Sequence, residues 1–153
     1  MKAVIQRVSE ASVTVDGRCV SKTGPGFLIL VGVMEDDKAE DIDIMAKKVS
    51  SLRVFEDEDG KMNLDILQTQ GEILAVSQFT LCADVKKGNR PSFSKSMELA
   101  NADIMYREFC EKLREYGIKT VKEGIFGADM KVSLVNDGPV TILYDTEIWV
   151  KRC

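Results

Sequence analysis

The sequence predicts an α+β (mixed α/β) domain in which a curved, barrel-like β-sheet is covered by two main amphipathic helices. Three observations predict it. Segments rich in Val and Ile with partial alternation open the chain and recur along it. Two longer stretches repeat apolar residues at helical spacing. No internal repeat, linker or low-complexity tract divides the 153 residues, so residues 1–153 are expected to form a single domain with one sizeable core.

Lys2 to Val8 and Ala11 to Val15 read as strands, and Asp16-Gly17 is a hairpin signal leading into Arg18-Cys19-Val20. Gly26 to Val33 is almost continuously apolar and suits a central strand buried on both faces. Glu35-Asp36-Asp37 then opens a helix, with carboxylates near its positive end, and Ile42, Met45, Ala46, Val49 and Leu52 form its buried face. A strand is expected from Leu52 to Phe55, followed by the acidic turn Glu56-Asp57-Glu58-Asp59-Gly60. Ile73 to Ser77 is another buried strand, and Lys86 to Phe93, with Gly88 and Pro91, is an irregular loop. A second helix spans about Ser96 to Tyr116, with Ala102, Tyr106, Phe109, Leu113 and Tyr116 on one side and Gly117 as its stop. Lys119 to Val121, Met130 to Val135 and Thr141 to Tyr144 complete the strands.

Composition narrows the function classes. With 44% hydrophobic and 30% charged residues the chain resembles an ordinary globular protein. No apolar run approaches the roughly 20 residues that span a bilayer, and Met1 to Ile5 reads as a strand without a signal-peptide pattern. A cytoplasmic location with no membrane partner is expected. The net charge of −4 opposes broad binding to nucleic acid, DNA included, which needs a basic face. It leaves room for a few nucleotides at one RNA end. Lys86, Lys87, Arg90 and Lys95 form a local basic cluster, which taken alone is more often a solvated loop than a phosphate site.

Cys19, Cys82, Cys110 and Cys153 are widely spaced and form no C-x-x-C pair. Reduced thiols, three of them partly buried, are expected, and neither metal nor cofactor is implied. There is no histidine in the chain, so a general base near neutrality has to come from elsewhere.

Two segments stand out against that absence: Ser77-Gln78-Phe79-Thr80-Leu81, directly after an apolar strand, and Asn136-Asp137-Gly138-Pro139-Val140-Thr141. Taken alone, the Ser77 and Thr80 hydroxyls fit side chains bonding local backbone, and Asn-Asp-Gly-Pro fits a turn joining two strands. Only about 5–6% of X-Pro bonds are cis, and nothing in composition separates Gly138-Pro139 from the competing step Gly24-Pro25.

Together, the two segments resemble the signature motifs of the D-aminoacyl-tRNA deacylases. The opening Met1 to Val8, the loop Gly88-Asn89-Arg90-Pro91-Ser92-Phe93 and the stretch Phe126-Gly127-Ala128 with Met130 are similar to that family too, in the same order. The resemblance implies a homodimer with active sites at the subunit interface, acting on the aminoacylated acceptor end of tRNA. It implies a cis Gly138-Pro139 step whose backbone carbonyls reach into the partner's site and reject L-aminoacyl groups, while admitting D-aminoacyl and glycyl groups. It places Ser77, Gln78, Phe79 and Thr80 at the reacting ester, with backbone N–H groups around Phe79 and Thr80 as the oxyanion site.

The ester's neighbouring 2′-hydroxyl would help activate water, which accounts for the missing imidazole. A Thr80 nucleophile is the rival mechanism, with no evident base to activate it. Phe126 and Met130 are candidates for holding the terminal adenine. Arg7, Lys86, Lys87, Arg90 and Asn136 are candidates for substrate or RNA contact. Two other classes are also open: a non-catalytic module binding a tRNA end or aminoacyl group, and an interaction protein that uses these strands only structurally.

Overall fold

The computed structural model describes residues 1–150. Its frame is a six-stranded sheet in the order β2-β1-β3-β6-β7, with β8 paired to the other side of β1. The strands are β1 (Lys2–Val15), β2 (Arg18–Thr23), β3 (Gly26–Gly32), β6 (Glu72–Ser77), β7 (Val121–Glu123) and β8 (Lys131–Asp145), while β4 (Phe55–Glu56) and β5 (Met62–Leu64) form a separate small ladder. The helices are α1 (Ala39–Ser50), the single turn α2 (Ile66–Thr69) and α3 (Leu99–Glu115). The curved-sheet expectation with two main helices holds.

The two expected strands at the start are one 14-residue strand. Lys2 to Val8 pairs with β3 and Ala11 to Val15 with β2, so β1 changes partner at the exposed Ser9 and Glu10. This bends the sheet. Its far ends then meet: the Lys122 ammonium donates to the Lys22 carbonyl at 2.7 Å, and the Ser21 hydroxyl to the Glu123 carbonyl at 2.5 Å. The barrel is nearly closed. Its interior holds Val8, Ala11, Val13, Leu28, Leu74 and Val76. The larger core lies between the sheet's other face and the helices, where Ile5, Ile29, Met45, Val49, Phe109 and Leu113 meet. With apolar side chains on both faces, β3 is the doubly buried strand its composition implied. Burying Phe109 and Leu113 contributes about 2 kcal/mol each.

Both helices begin later than their sequences suggested. α1 starts at Ala39 because the Asp37 carboxylate turns back to accept the Met34 N–H at 2.7 Å, and Asp41 accepts the Lys38 N–H at 2.9 Å. α3 starts at Leu99, where the Glu98 carboxylate accepts from the N–H groups of Ala100 and Asn101. Ser96 lies before it, in an antiparallel bridge with Met34. The stretch from Leu52 to Val54 is irregular, and the expected strand there is reduced to Phe55–Glu56. Among the described thiols, Cys82 and Cys110 are buried and Cys19 is exposed. Cys153 lies outside the described residues.

Candidate active site

β6 runs parallel to β3, with Val31 opposite Ser77 at their carboxyl ends. Crevices at such strand ends are where open α/β sheets hold ligands. The chain leaves β6 through Gln78, whose N–H donates to the Val31 carbonyl at 2.7 Å, and tightens into a 3-10 turn, Phe79–Cys82. Gly32 makes this docking feasible. A Cβ there would lie 2.9 Å from Leu81 Cβ and 3.1 Å from the Gln78 carbonyl oxygen. A side chain on β3 at that position would push the turn away.

Beside the turn is a cavity of about 610 Å³ lined mainly by apolar atoms, a volume suited to a small organic ligand. Ser77, Gln78 and Phe79 form one wall, and Phe126 and Met130 another. Sequence reasoning missed Ser96, Met97, Leu99 and Ala102, which come from the strap before α3 and its first turn. Asp129 also lines the cavity. Phe126 is set by Tyr106, whose ring centroid is 6.1 Å away and whose hydroxyl donates to the Ala75 carbonyl at 2.8 Å. Burial holds the Tyr106 phenol above its usual range.

The reactive-looking side chains in the turn are quiet. Thr80 is exposed, and its Oγ1 accepts a hydrogen bond from Gln78 Nε2 at 2.5 Å. Cys82 donates to the Val33 carbonyl at 3.4 Å, and burial pushes its thiol up, away from the thiolate form. Among the described residues no three His, Cys, Asp or Glu side chains are grouped to hold a metal ion.

The second signature segment is not a reversing turn. Gln6 pairs with Thr141 and Val8 with Asn136, so four residues of β8 face the single residue Arg7. The surplus forms a bulge on an edge strand, a position that accepts proline because no ladder N–H is needed there. Asn136 closes it: its side-chain oxygen accepts the Val140 N–H at 2.8 Å and its amide donates to Thr141 Oγ1 at 3.0 Å. Gly138-Pro139 is cis and Gly24-Pro25 is trans. Asp137, Gly138 and Pro139 are exposed, and none of them lines this chain's own cavity.

Arg7, a candidate for substrate or RNA contact, is buried under this bulge. Its Nε donates to the Asp137 carbonyl at 2.8 Å and its Nη1 to the Val54 carbonyl at 2.6 Å. It contacts the bulge through the Asp137 carbonyl rather than facing solvent. Lys86, Lys87 and Arg90 stand exposed on the loop that follows the turn, outside the cavity wall.

Comparison with known proteins identifies what this chain is similar to. The family model described as D-Tyr-tRNA(Tyr) deacylase matches residues 4–145. The chain belongs to the D-aminoacyl-tRNA deacylase family. A deacylase of this family from Bacteroides thetaiotaomicron is 54% identical over 147 residues, covering 96% of this chain and 98% of the relative. One from Myxococcus xanthus is 53% identical over 146 residues, covering 95% of each. Among solved structures, the c-Myc DNA Unwinding Element Binding Protein superposes with a TM-score of 0.90 at 46% identity, covering 95% of this chain and 98% of that one. A probable eukaryotic D-amino acid tRNA deacylase gives a TM-score of 0.78 at 17% identity, covering 94% and 97%, a likeness of fold. The family match thus spans nearly all of the described sheet and both main helices.

Proposed function

We propose that this protein hydrolyses the ester of D-aminoacyl-tRNA, releasing free D-amino acid and tRNA, and so removes wrongly charged tRNA in translation quality control. The observation that carries the reading is the division of the site. The cavity carries Ser77, Gln78 and Phe79, while the Gly138-Pro139 bulge stands exposed outside it. In a homodimer of the kind the family resemblance implies, the bulge of one protomer completes the cavity of the other.

The terminal adenosine enters the apolar part of the cavity, against Phe126 and Met130. The ester lies at the start of the 3-10 turn. The first N–H groups of a helical turn have no partner within it, and those around Phe79 and Thr80 face the carbonyl oxygen as negative charge develops. Water attacks the ester carbonyl and the bond to the ribose 3′-oxygen breaks. The adjacent 2′-hydroxyl of the substrate helps activate that water, since the chain contains no histidine.

Selection is by exclusion. The backbone carbonyls of Gly138 and Pro139 occupy the space that an L side chain needs, whereas a D side chain points outward. Glycine has no side chain to reject, so glycyl-tRNA is also accepted, including glycine mischarged on alanine tRNA. A device of this kind discriminates by steric conflict rather than by attraction to the right substrate.

The test is a paired assay of D-tyrosyl-tRNA and L-tyrosyl-tRNA on the same tRNA, with excess chelator. Release from the D-ester alone is expected. Equal release from both would remove the filter, and release from neither would leave a module that binds a tRNA end or aminoacyl group without turnover.

A further inference from the structure

Beyond the cavity, the chain forms a closed ring back to the reactive turn. Cys82 ends the turn, and two residues later Asp84 pairs with Ser92 through reciprocal backbone hydrogen bonds, 2.7 Å from Asp84 N and 2.9 Å from Ser92 N. The next residue, Phe93, returns to Phe79, ring centroids 5.0 Å apart and edge to face. Residues 85–91 are thereby looped out from a pinned base, and they carry the exposed Lys86, Lys87 and Arg90. Among the described residues no carboxylate lies within salt-bridge distance of these three, whereas Arg107, Lys112 and Arg114 on α3 are all paired.

Asp84 organises the loop's base. Its Oδ1 accepts the Lys86 N–H at 3.0 Å, and its Oδ2 lies 3.7 Å from the Lys95 ammonium. These contacts hold its carboxyl below the usual range, the Lys86 N–H foremost. The chain beyond the base is also held to the segment that follows β3: Glu35 N donates to the Lys95 carbonyl at 2.9 Å. Reach limits where the cations stand. Arg90 is three residues from Phe93, so their Cα atoms are at most about 11 Å apart. That span fits the phosphates just before a terminal nucleotide seated beside Phe79.

We propose that the loop 85–91 is a preformed clamp for the phosphates of the RNA strand entering the cavity, with Asp84 and Phe93 as its positioning residues. The proposal rests on the deacylase reading and deepens it. The loop supplies sequence-independent affinity at one point of an otherwise acidic protein, and the Phe79–Phe93 contact sets that grip in register with the ester. A fixed loop loses less freedom on binding than a mobile one with the same charges.

The test compares two substrates that share the ester: D-tyrosyl-tRNA and D-tyrosyl-adenosine, which has no phosphate. Replacing Lys86, Lys87 and Arg90 together by Ala should lower kcat/KM on the tRNA about tenfold or more, through KM, near physiological salt. The log–log salt slope should become shallower by about 2. Cleavage of D-tyrosyl-adenosine should be unchanged.

Asp84→Ala separates positioning from charge. It leaves all the loop cations and removes the one carboxylate among them, so charge alone predicts tighter tRNA binding. The clamp predicts KM raised about three- to tenfold on tRNA only. Asp84→Asn, whose amide oxygen still accepts the Lys86 N–H, should restore most of the loss. An Asp84→Ala protein equal to or better than wild type on tRNA would overturn the clamp. So would a triple variant equally impaired on both substrates. Wild-type protein inactive on both would instead overturn the deacylase reading, and the clamp with it.

Discussion

Arg7 and Asp137 meet through a hydrogen bond of 2.8 Å from the Arg7 Nε to the Asp137 carbonyl, directly before the exposed Gly138-Pro139 step. A single buried side chain on β1 therefore supports the four-residue bulge on β8 opposite it. The second bond, from Nη1 to Val54, ties the same guanidinium to the chain between α1 and β4.

Arg7→Ala would leave two carbonyls without their charged donor, at a cost of about 3 kcal/mol. Displacement of the bulge by an ångström should lower kcat/KM on D-tyrosyl-tRNA about 100-fold. The D-over-L preference should fall with it. Arg7→Lys keeps the charge but not the planar fork that spans two carbonyls, so it should rescue little. Urea unfolding beside the paired D and L assay checks this; a stable, fully selective Arg7→Ala protein would contradict it.

Gly138 has φ +141, and a Cβ added there would lie 2.8 Å from Val140 Cγ2 and 3.0 Å from Arg7 Nη2. Gly138→Ala should therefore move the bulge at a local cost of about 1–3 kcal/mol. The residue is exposed on an edge strand, so the barrel should remain folded. The expected protein has near wild-type circular dichroism and little hydrolysis of D-tyrosyl-tRNA. Full activity would show that the backbone at Gly138 does not shape the site.

Thr80 Oγ1 accepts from the Gln78 amide, and an amide donor cannot remove a proton from a nucleophile. Thr80→Ala should thus retain activity within about tenfold of wild type. Rapid quenching of wild-type protein with radiolabelled D-aminoacyl-tRNA should trap no acyl-protein. A trapped acyl group at Thr80, with a dead variant, would restore the covalent route.

Much of this arrangement was legible in the sequence because it rests on local signals. Asp16-Gly17 made its hairpin with positive φ at both residues, and the apolar run after Gly26 became the doubly buried β3. The helix α2 carried a readable capping box, Asp65 with Gln68, which periodicity overlooked because four residues show no period. The bulge was harder. Turn chemistry at Asn136 to Pro139 suggested a reversal, yet the strand continues because both flanks find β1, a choice made by tertiary pairing. The supporting role of Arg7, expected as a substrate or RNA contact, was hidden for the same reason: its acceptors are 47 and 130 residues away. The cavity wall from Ser96 to Ala102 depends on the strap docking on the chain just past β3, through Met97 N to Val33 O at 3.0 Å. No local pattern encodes that.

If the substrate supplies the group that activates water, removing it should matter more than removing any side chain of the turn. A D-tyrosyl ester on a tRNA ending in 2′-deoxyadenosine should be cleaved at least about 100-fold more slowly, the usual scale of acid–base assistance. Its affinity should stay within about threefold, because the cavity contacts with adenine and the loop contacts with phosphate are unaltered. Single-turnover rates set against filter-binding affinities separate the two effects. Normal cleavage of the deoxy substrate would place the activating group on the protein, and Asp129, the one carboxylate lining the cavity among the described residues, would be the residue to replace next.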